Sequence, residues 1–205
     1  HEFMNDNLLD LTHVGFVHRN TIGGDPEVHV SAKTDTKRED DKVTVTRWML
    51  DSPPPPTYVK SVGFEGNVDR WQTIEFWPGL LHIYTGATEV GSGVSNDTLD
   101  EAQSFGGFHN RIFNGITPVT ETSCYYFWSA AHGHNVGDPA VSDAHFSEIS
   151  NAFAEDKLVL RVQQDRINAD PDRPLLNLAG DAGGMAARKI LREMIAAETL
   201  PIAAE

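Results

Sequence analysis

Cysteine is nearly absent from this chain: Cys124 is the single one among 205 residues. A lone thiol forms no intramolecular disulfide, and within this chain it can build neither a Cys-rich zinc site nor an iron–sulfur cluster. It suits a reducing compartment, so a cytoplasmic protein is expected. Long apolar runs are missing too. No stretch nears the roughly 18 consecutive apolar residues of a membrane span, and no apolar leader opens the chain. No membrane association is therefore expected. Basic residues are scarce, with 16 Lys and Arg against 30 Asp and Glu, a net charge of −14. Nucleic-acid binding relies on cations that displace counterions from phosphate, so nucleic acid is not an expected partner. No internal repeat is present.

The remaining composition, 40% hydrophobic and 22% charged, is that of an ordinary globular fold, and one domain over residues 1–205 is the default. Residues 3–18 carry Phe3, Met4, Leu8, Leu9, Leu11 and Val14 at mostly helical spacing, and Gly15 is expected to end that helix. "EVHVSAKTD" (27–35) and "KVTVTRWML" (42–50) alternate and are β-branched, which predicts two strands with a hairpin turn in "KTDTKREDD". The prolines of "DSPPPPTYV" exclude a helix or a central strand there. "RWQTIEFWPG" and "LLHIYTGA" predict a strand pair turning at Pro78-Gly79. A polar, glycine-rich loop follows at 91–107, of a kind that is often a lid or a disordered segment. Two long strands, about 108–118 and 121–131, are expected to pivot at Pro118. From Asp138 onward the pattern is helical, and "DAGGMAARKILREMIAAE" predicts a closing amphipathic helix with Asp181 as N-cap. Strands followed by helices indicate an α+β fold.

Among nine histidines, His13 and His18 draw notice because Asp10 lies three residues before the first. Five residues of helix turn a side chain by about 140°, so a regular helix would splay the two rings; a bulge or an early helix end would reunite them. A carboxylate at Asp10 could accept a ring N–H and fix the tautomer of a metal-bound imidazole, or it could simply face solvent. Two histidines need an anionic third ligand to hold ferrous iron with open positions. Asp156, in an apolar helical stretch, is one candidate among 30 acids.

Several stretches together resemble one family, the catalytic domain of Rieske non-haem iron aromatic oxygenases, in the branch of vanillate O-demethylase, dicamba monooxygenase and phenoxybenzoate dioxygenase. "NLLDLTHVGFVH" resembles its Asn-x-x-Asp-x-x-His-x-x-x-x-His segment. "DRWQTIEFWPG" and "ITPVTETSCYYFW" resemble its strands, "EDKLVLRVQQDR" the segment donating the third ligand, and "DRPLLNLAGDAGGMAARKILREMI" its C-terminal helix. The resemblance implies a helix-grip, START-like antiparallel sheet on a long helix with flanking helices. It implies Fe(II) on His13, His18 and Asp156, with Asp10 bridging to an electron donor and Asn7 near the iron. His82 and Asn114 are then expected to contact the carboxylate or hydroxyl of a small aromatic substrate, with Leu8 and Leu11 as apolar wall. Phe127 and Trp128 are expected in the core rather than on substrate.

The same resemblance implies dioxygen as co-substrate, O-demethylation or ring hydroxylation as the reaction, and assembly as a homotrimer. Electrons are expected from a two-iron two-sulfur Rieske cluster served by a reductase or ferredoxin. With one cysteine these residues cannot hold that cluster, so it is external to them and the chain alone is expected to be inactive. A competing reading is a non-catalytic START-like module that binds a small hydrophobic ligand. Zinc hydrolysis lacks the adjacent glutamate of a His-Glu-x-x-His site.

Overall fold

In the computed structural model, which describes residues 1–198, six strands form one antiparallel sheet in sequence order. They are β1 (Thr34–Glu39), β2 (Lys42–Ser52), β3 (Val68–Trp77), β4 (Leu80–Glu89), β5 (Phe108–Thr120) and β6 (Ser123–His132). The helices are α1 (Glu2–Leu9), α2 (Val14–Val17), α3 (Pro26–Ser31), α4 (Pro56–Val62), α5 (Pro139–Ala169) and α6 (Ala182–Glu198). This is the expected α+β helix-grip plan.

Because side chains alternate along a strand, the register separates two faces. The inner face carries Val43, Val45, Ile74, Phe76, Leu81 and Ile116, which form one core with Leu8, Leu9 and Leu11 and with Ala187 and Ile190 of α6. Toward β6 the inner face carries Tyr126 and Trp128, and α5 lies against them through Phe146 and Phe153. α5 is a single 31-residue helix, about 46 Å long, started by Asp138, whose Oδ1 accepts from Ala140 N at 2.9 Å. On the outer face, residues 96–105 form 3₁₀ turns, with Leu99 and Ala102 covering Trp71 and Tyr84.

Several local expectations are corrected. "EVHVS" is helical, not a strand: Asp25 caps it (Oδ1 to Glu27 N, 3.0 Å) and Pro26 fits its first turn, so start signals override the β-branched alternation. The "TDTKRE" run is itself β1, and the turn is confined to Asp40-Asp41. The last proline of the run, Pro56, opens α4 instead of excluding a helix. The β5–β6 turn falls at Glu121-Thr122, and Pro118 sits beside a register irregularity. Asp181 accepts from Leu178 N at 2.6 Å, closing the 3₁₀ turn before α6. The 91–107 segment lies over the outer face, away from the inner-face core, so it is no lid there.

Candidate metal centre

α1 ends at Leu9, where Asp10 turns extended (ψ 107°), and not at Gly15. His13 and His18 are the two ends of the one-turn α2, so they never share a regular helix. After His18 the chain makes a wide turn in which Gly23 N donates to His18 O at 2.8 Å. Gly23 is required there, since a Cβ would lie 2.1 Å from Val14 O. The result brings the imidazole centroids to 5.2 Å, with the rings at 73°. Asp156 arrives from the middle of α5, its Oδ1 3.4 Å from His13 Nε2 and 3.1 Å from His18 Nε2.

The tautomers follow from the rear of each ring. His13 Nδ1 lies 2.6 Å from Asp10 O and donates to that carbonyl. His18 Nδ1 lies 2.7 Å from Glu155 Oε2 and donates to that carboxylate, which also accepts from Thr21 Oγ1 at 3.2 Å. With both Nδ1 protonated, each Nε2 presents a lone pair, and both face a carboxylate oxygen. Asp156 Oδ1 is buried and makes no hydrogen bond in this arrangement. Three electron-rich atoms within 4.8 Å of one another need a cation between them. Without one, a proton must serve. Burial alone would lower the His13 pKa, but Asp10 and Asp156 outweigh it and hold it at about 9. Burial would raise the Asp156 pKa; the two imidazoles reverse that and hold it far below the usual carboxylate range. The donor set fits a divalent metal, with two imidazoles and one carboxylate on one face.

The segment bearing the histidines is fixed to the sheet by two buried arginines. Arg47 of β2 donates to Leu11 O at 2.7 Å, and Arg70 of β3 donates to Gly23 O and Ile22 O at 2.8 Å each. His29 Nε2 donates to Gly23 O (2.9 Å) and its Nδ1 accepts from Arg47 (3.2 Å); burial, with both arginines nearby, lowers its pKa to about 4.

Two clefts flank the centre. The larger, about 710 Å³, lies between α1, α5 and β6 and is lined by Asn7, Leu8, Tyr126, Trp128, Phe153 and Asp156 among others. The smaller, about 210 Å³, reaches His13 from the other side, past Asp6, Asn7 and Asp10. The Asp10 carboxylate is not the tautomer-fixing acceptor that the sequence suggested. Its Oδ1 accepts from Thr12 N (2.6 Å) and Thr12 Oγ1 (2.5 Å), and its Oδ2 is 3.8 Å from His13 Nδ1. Burial would raise its pKa, but His13 and Thr12 lower it.

Other expected contacts move. His82 lies on the outer face, paired with Glu75 at 3.2 Å, because the core claims its neighbours Leu81 and Ile83. Asn114 is fully buried behind Tyr126, whose hydroxyl donates to its Oδ1 at 2.7 Å. Leu11 is core, and only Leu8 reaches the cleft. Phe127 is neither core nor contact but 64% exposed on the outer face, while Trp128 lines the cleft. Glu155, Arg47, Arg70 and Tyr126 carried no signal in the sequence; only the fold brings them to the site.

A helix-gripped sheet with a two-histidine, one-carboxylate face defines the class of non-haem iron-type centres. The chain belongs to the vanillate O-demethylase oxygenase C-terminal domain family, which it matches over residues 1–197. It is 34% identical to a putative toluene-4-sulfonate monooxygenase system iron-sulfur subunit from Comamonas testosteroni, over 94% of this chain and 55% of that protein. It is also 34% identical to a vanillate O-demethylase oxygenase subunit from a Pseudomonas species, over 97% of this chain and 60% of that one. Dicamba monooxygenase bound to 3,6-dichlorosalicylic acid shares the fold, with TM-score 0.79 at 22% identity over 97% of this chain and 57% of that one. The chain thus spans a little over half the length of these relatives.

Proposed function

We propose that this chain is the catalytic portion of an aromatic oxygenase, with ferrous iron held by His13, His18 and Asp156. The observation that carries the reading is the meeting of two Nε2 lone pairs at the unpartnered Asp156 Oδ1. Iron bound there would supply the activation of dioxygen and the oxidation of the substrate carbon, by O-demethylation or hydroxylation. The chain's own residues do the rest. Asp10 O and Glu155 hold both imidazoles in the ligating tautomer. Tyr126, Trp128 and Phe153 give a flat arene an apolar wall beside Asp156. Burial keeps the Tyr126 phenol protonated, and Asp156 adds to that effect, so its one O–H stays committed to Asn114 Oδ1 and the ring faces the cleft.

Relatives named for toluene-4-sulfonate and vanillate support a small aromatic substrate. Electrons are assigned to a Rieske cluster outside these residues, supplied by a reductase or ferredoxin. The Asp10 carboxylate, in the second cleft, is the proposed bridge from that donor, and Asn7, whose buried Nδ2 lacks a partner, sits between the two clefts. Cross-subunit transfer calls for a trimer, which we include in the proposal. Ferrous chemistry and a free Cys124 fit a reducing cytoplasm. No described helix is long and apolar enough to cross a membrane.

The test is anaerobic Fe(II) titration of the chain beside His13→Ala and Asp156→Ala, each checked for folding by circular dichroism. One tight site, lost or much weakened in both variants, is expected. A folded wild type with no site would overturn the reading in favour of a hydrophobic-ligand module.

A further inference from the structure

Where β6 ends and α5 begins, three histidines gather that the oxygenase reading leaves unused. Asn110 of β5 and His132 of β6 stand opposite each other in the sheet. His134 follows in the loop after β6, and His145 comes from α5, one turn beyond Ser142. The ring centroids of His132 and His134 are 4.9 Å apart, those of His132 and His145 5.2 Å, and those of His134 and His145 5.9 Å. His13 and His18 at the candidate metal centre stand at 5.2 Å. Three imidazoles on a tetrahedral metal, with metal–nitrogen bonds of about 2.0–2.1 Å, set their centroids about 5 Å apart, so this triangle has the size of a three-histidine site.

Hydrogen bonds show where the lone pairs are. His145 Nε2 donates to Asn110 Oδ1 at 3.0 Å, which leaves a lone pair on Nδ1, and that atom is buried without a partner. His132 Nδ1 donates to His134 O at 2.7 Å, so its Nε2 lone pair meets only the Ser142 hydroxyl, at 2.8 Å. His134 is 6% exposed, and neither of its ring nitrogens makes a hydrogen bond: His109 O beside it is bonded to Gly133 N at 3.0 Å. Burying an imidazole with both nitrogens unmet is costly. The nearby His109 is already occupied, accepting from the Tyr84 hydroxyl at 2.9 Å and donating to Gly106 O at 2.8 Å.

We infer that His132, His134 and His145 form a second metal site, a three-nitrogen seat for Zn(II), separate from the centre at His13, His18 and Asp156. His134 O and Asn110 hold two of the rings from behind, as the outer partners of ligating histidines do. The donor atoms of the first centre are the only set among the described residues already within 4.8 Å of one another, so the second site closes on its ion. His134 is the part free to turn. A half-turn about its Cβ–Cγ bond keeps the ring stacked on Phe108 at 5.0 Å and exchanges its nitrogens with its carbons. A set of neutral imidazoles suits zinc, which imposes no geometry from its d-electrons against that closure. Ser142 is exposed, so the site opens to water on that side for a fourth ligand. Zinc here ties the end of β6 to the start of α5. Asp156 lies eleven residues beyond His145 on that helix, about 16 Å along its axis, so the two sites can be tested apart. The inference stands without the oxygenase reading.

The experiment titrates the full chain with Zn(II) in competition with a chromophoric chelator, using His13→Ala/Asp156→Ala to remove the first centre and circular dichroism to check folding. One zinc per chain is expected to remain in that variant and to raise its melting temperature. Adding His134→Phe or His145→Phe, which keep a ring in the space, should weaken zinc binding by about a hundred-fold or more, beyond the 10–100-fold typical of losing an outer partner. Co(II) in the same site should give the intense visible bands of four-coordinate cobalt. As a readout that needs no further variant, zinc should shift the ring nitrogen resonances of His132, His134 and His145. A folded His13→Ala/Asp156→Ala chain that binds no zinc would overturn the inference, as would undiminished binding in the phenylalanine variants or shifts confined to other histidines.

Discussion

Removing the carboxylate of Glu155 tests whether the centre is held from behind. Glu155 Oε2 is the acceptor for His18 Nδ1 at 2.7 Å and for Thr21 Oγ1 at 3.2 Å. Without it His18 can take the tautomer with the proton on Nε2, which cannot ligate, and its ring loses a rotational stop. Loss of such an outer partner typically weakens metal binding about 10–100-fold, or ~1.4–2.7 kcal/mol. The Glu155 side chain is 35% exposed, so the lower half of that range is expected, with water replacing part of the lost bond. Glu155→Gln retains an acceptor oxygen without the charge and should fall between wild type and Glu155→Ala. The assay is anaerobic titration with Fe(II), repeated with Co(II) for its visible absorption, beside thermal unfolding of the metal-free proteins. Affinity within twofold of wild type in folded Glu155→Ala would refute the reasoning.

Three further outcomes follow from charge and burial. Because His13 has a pKa of about 9 in the metal-free protein, iron must expel a proton, and apparent affinity should climb about tenfold per pH unit from neutrality and level off near 9; a flat profile would contradict it. The same shift has a stability consequence: a pKa raised above the unfolded value of about 6.5 stabilises fully below that value and is lost as pH rises through about 9, so the melting temperature in chelator should drop across that window. Arg70→Met should cost about 1–3 kcal/mol in urea unfolding, since Ile22 O loses its buried donor and Gly23 O keeps only His29. An unchanged midpoint would show that Arg70 does not fix the segment.

What was legible in the sequence was what local chemistry dictates. Pro78-Gly79 ends β3, and Asp138-Pro139 starts α5, because those residues restrict the backbone by themselves. Where two local signals compete, as at Asp25-Pro26 before β-branched residues, the cap prevailed. The His13, His18 and Asp156 set came from the family pattern, since a five-residue spacing argues against convergence until Asp10 breaks the helix. His82 was misplaced through strand parity. A strand shows which residues share a face, but Leu81 and Ile83 were not visibly better core than Tyr84 and His82. Glu155, Lys157 and Arg161 read as three more charges on a helix, and only the position of α5 against α2 and β6 separates them into a rear support and a cleft lining.

Arg47 and Arg70 moor the two ends of the segment from Leu11 to Gly23 on adjacent strands. A guanidinium stays protonated at every pH a folded protein meets, so neither mooring slips by titration. The conformational entropy of that segment is therefore lost when the sheet forms, before any metal arrives. The socket is preorganised: an ion bound at the proposed centre could leave and another enter with no refolding of this segment.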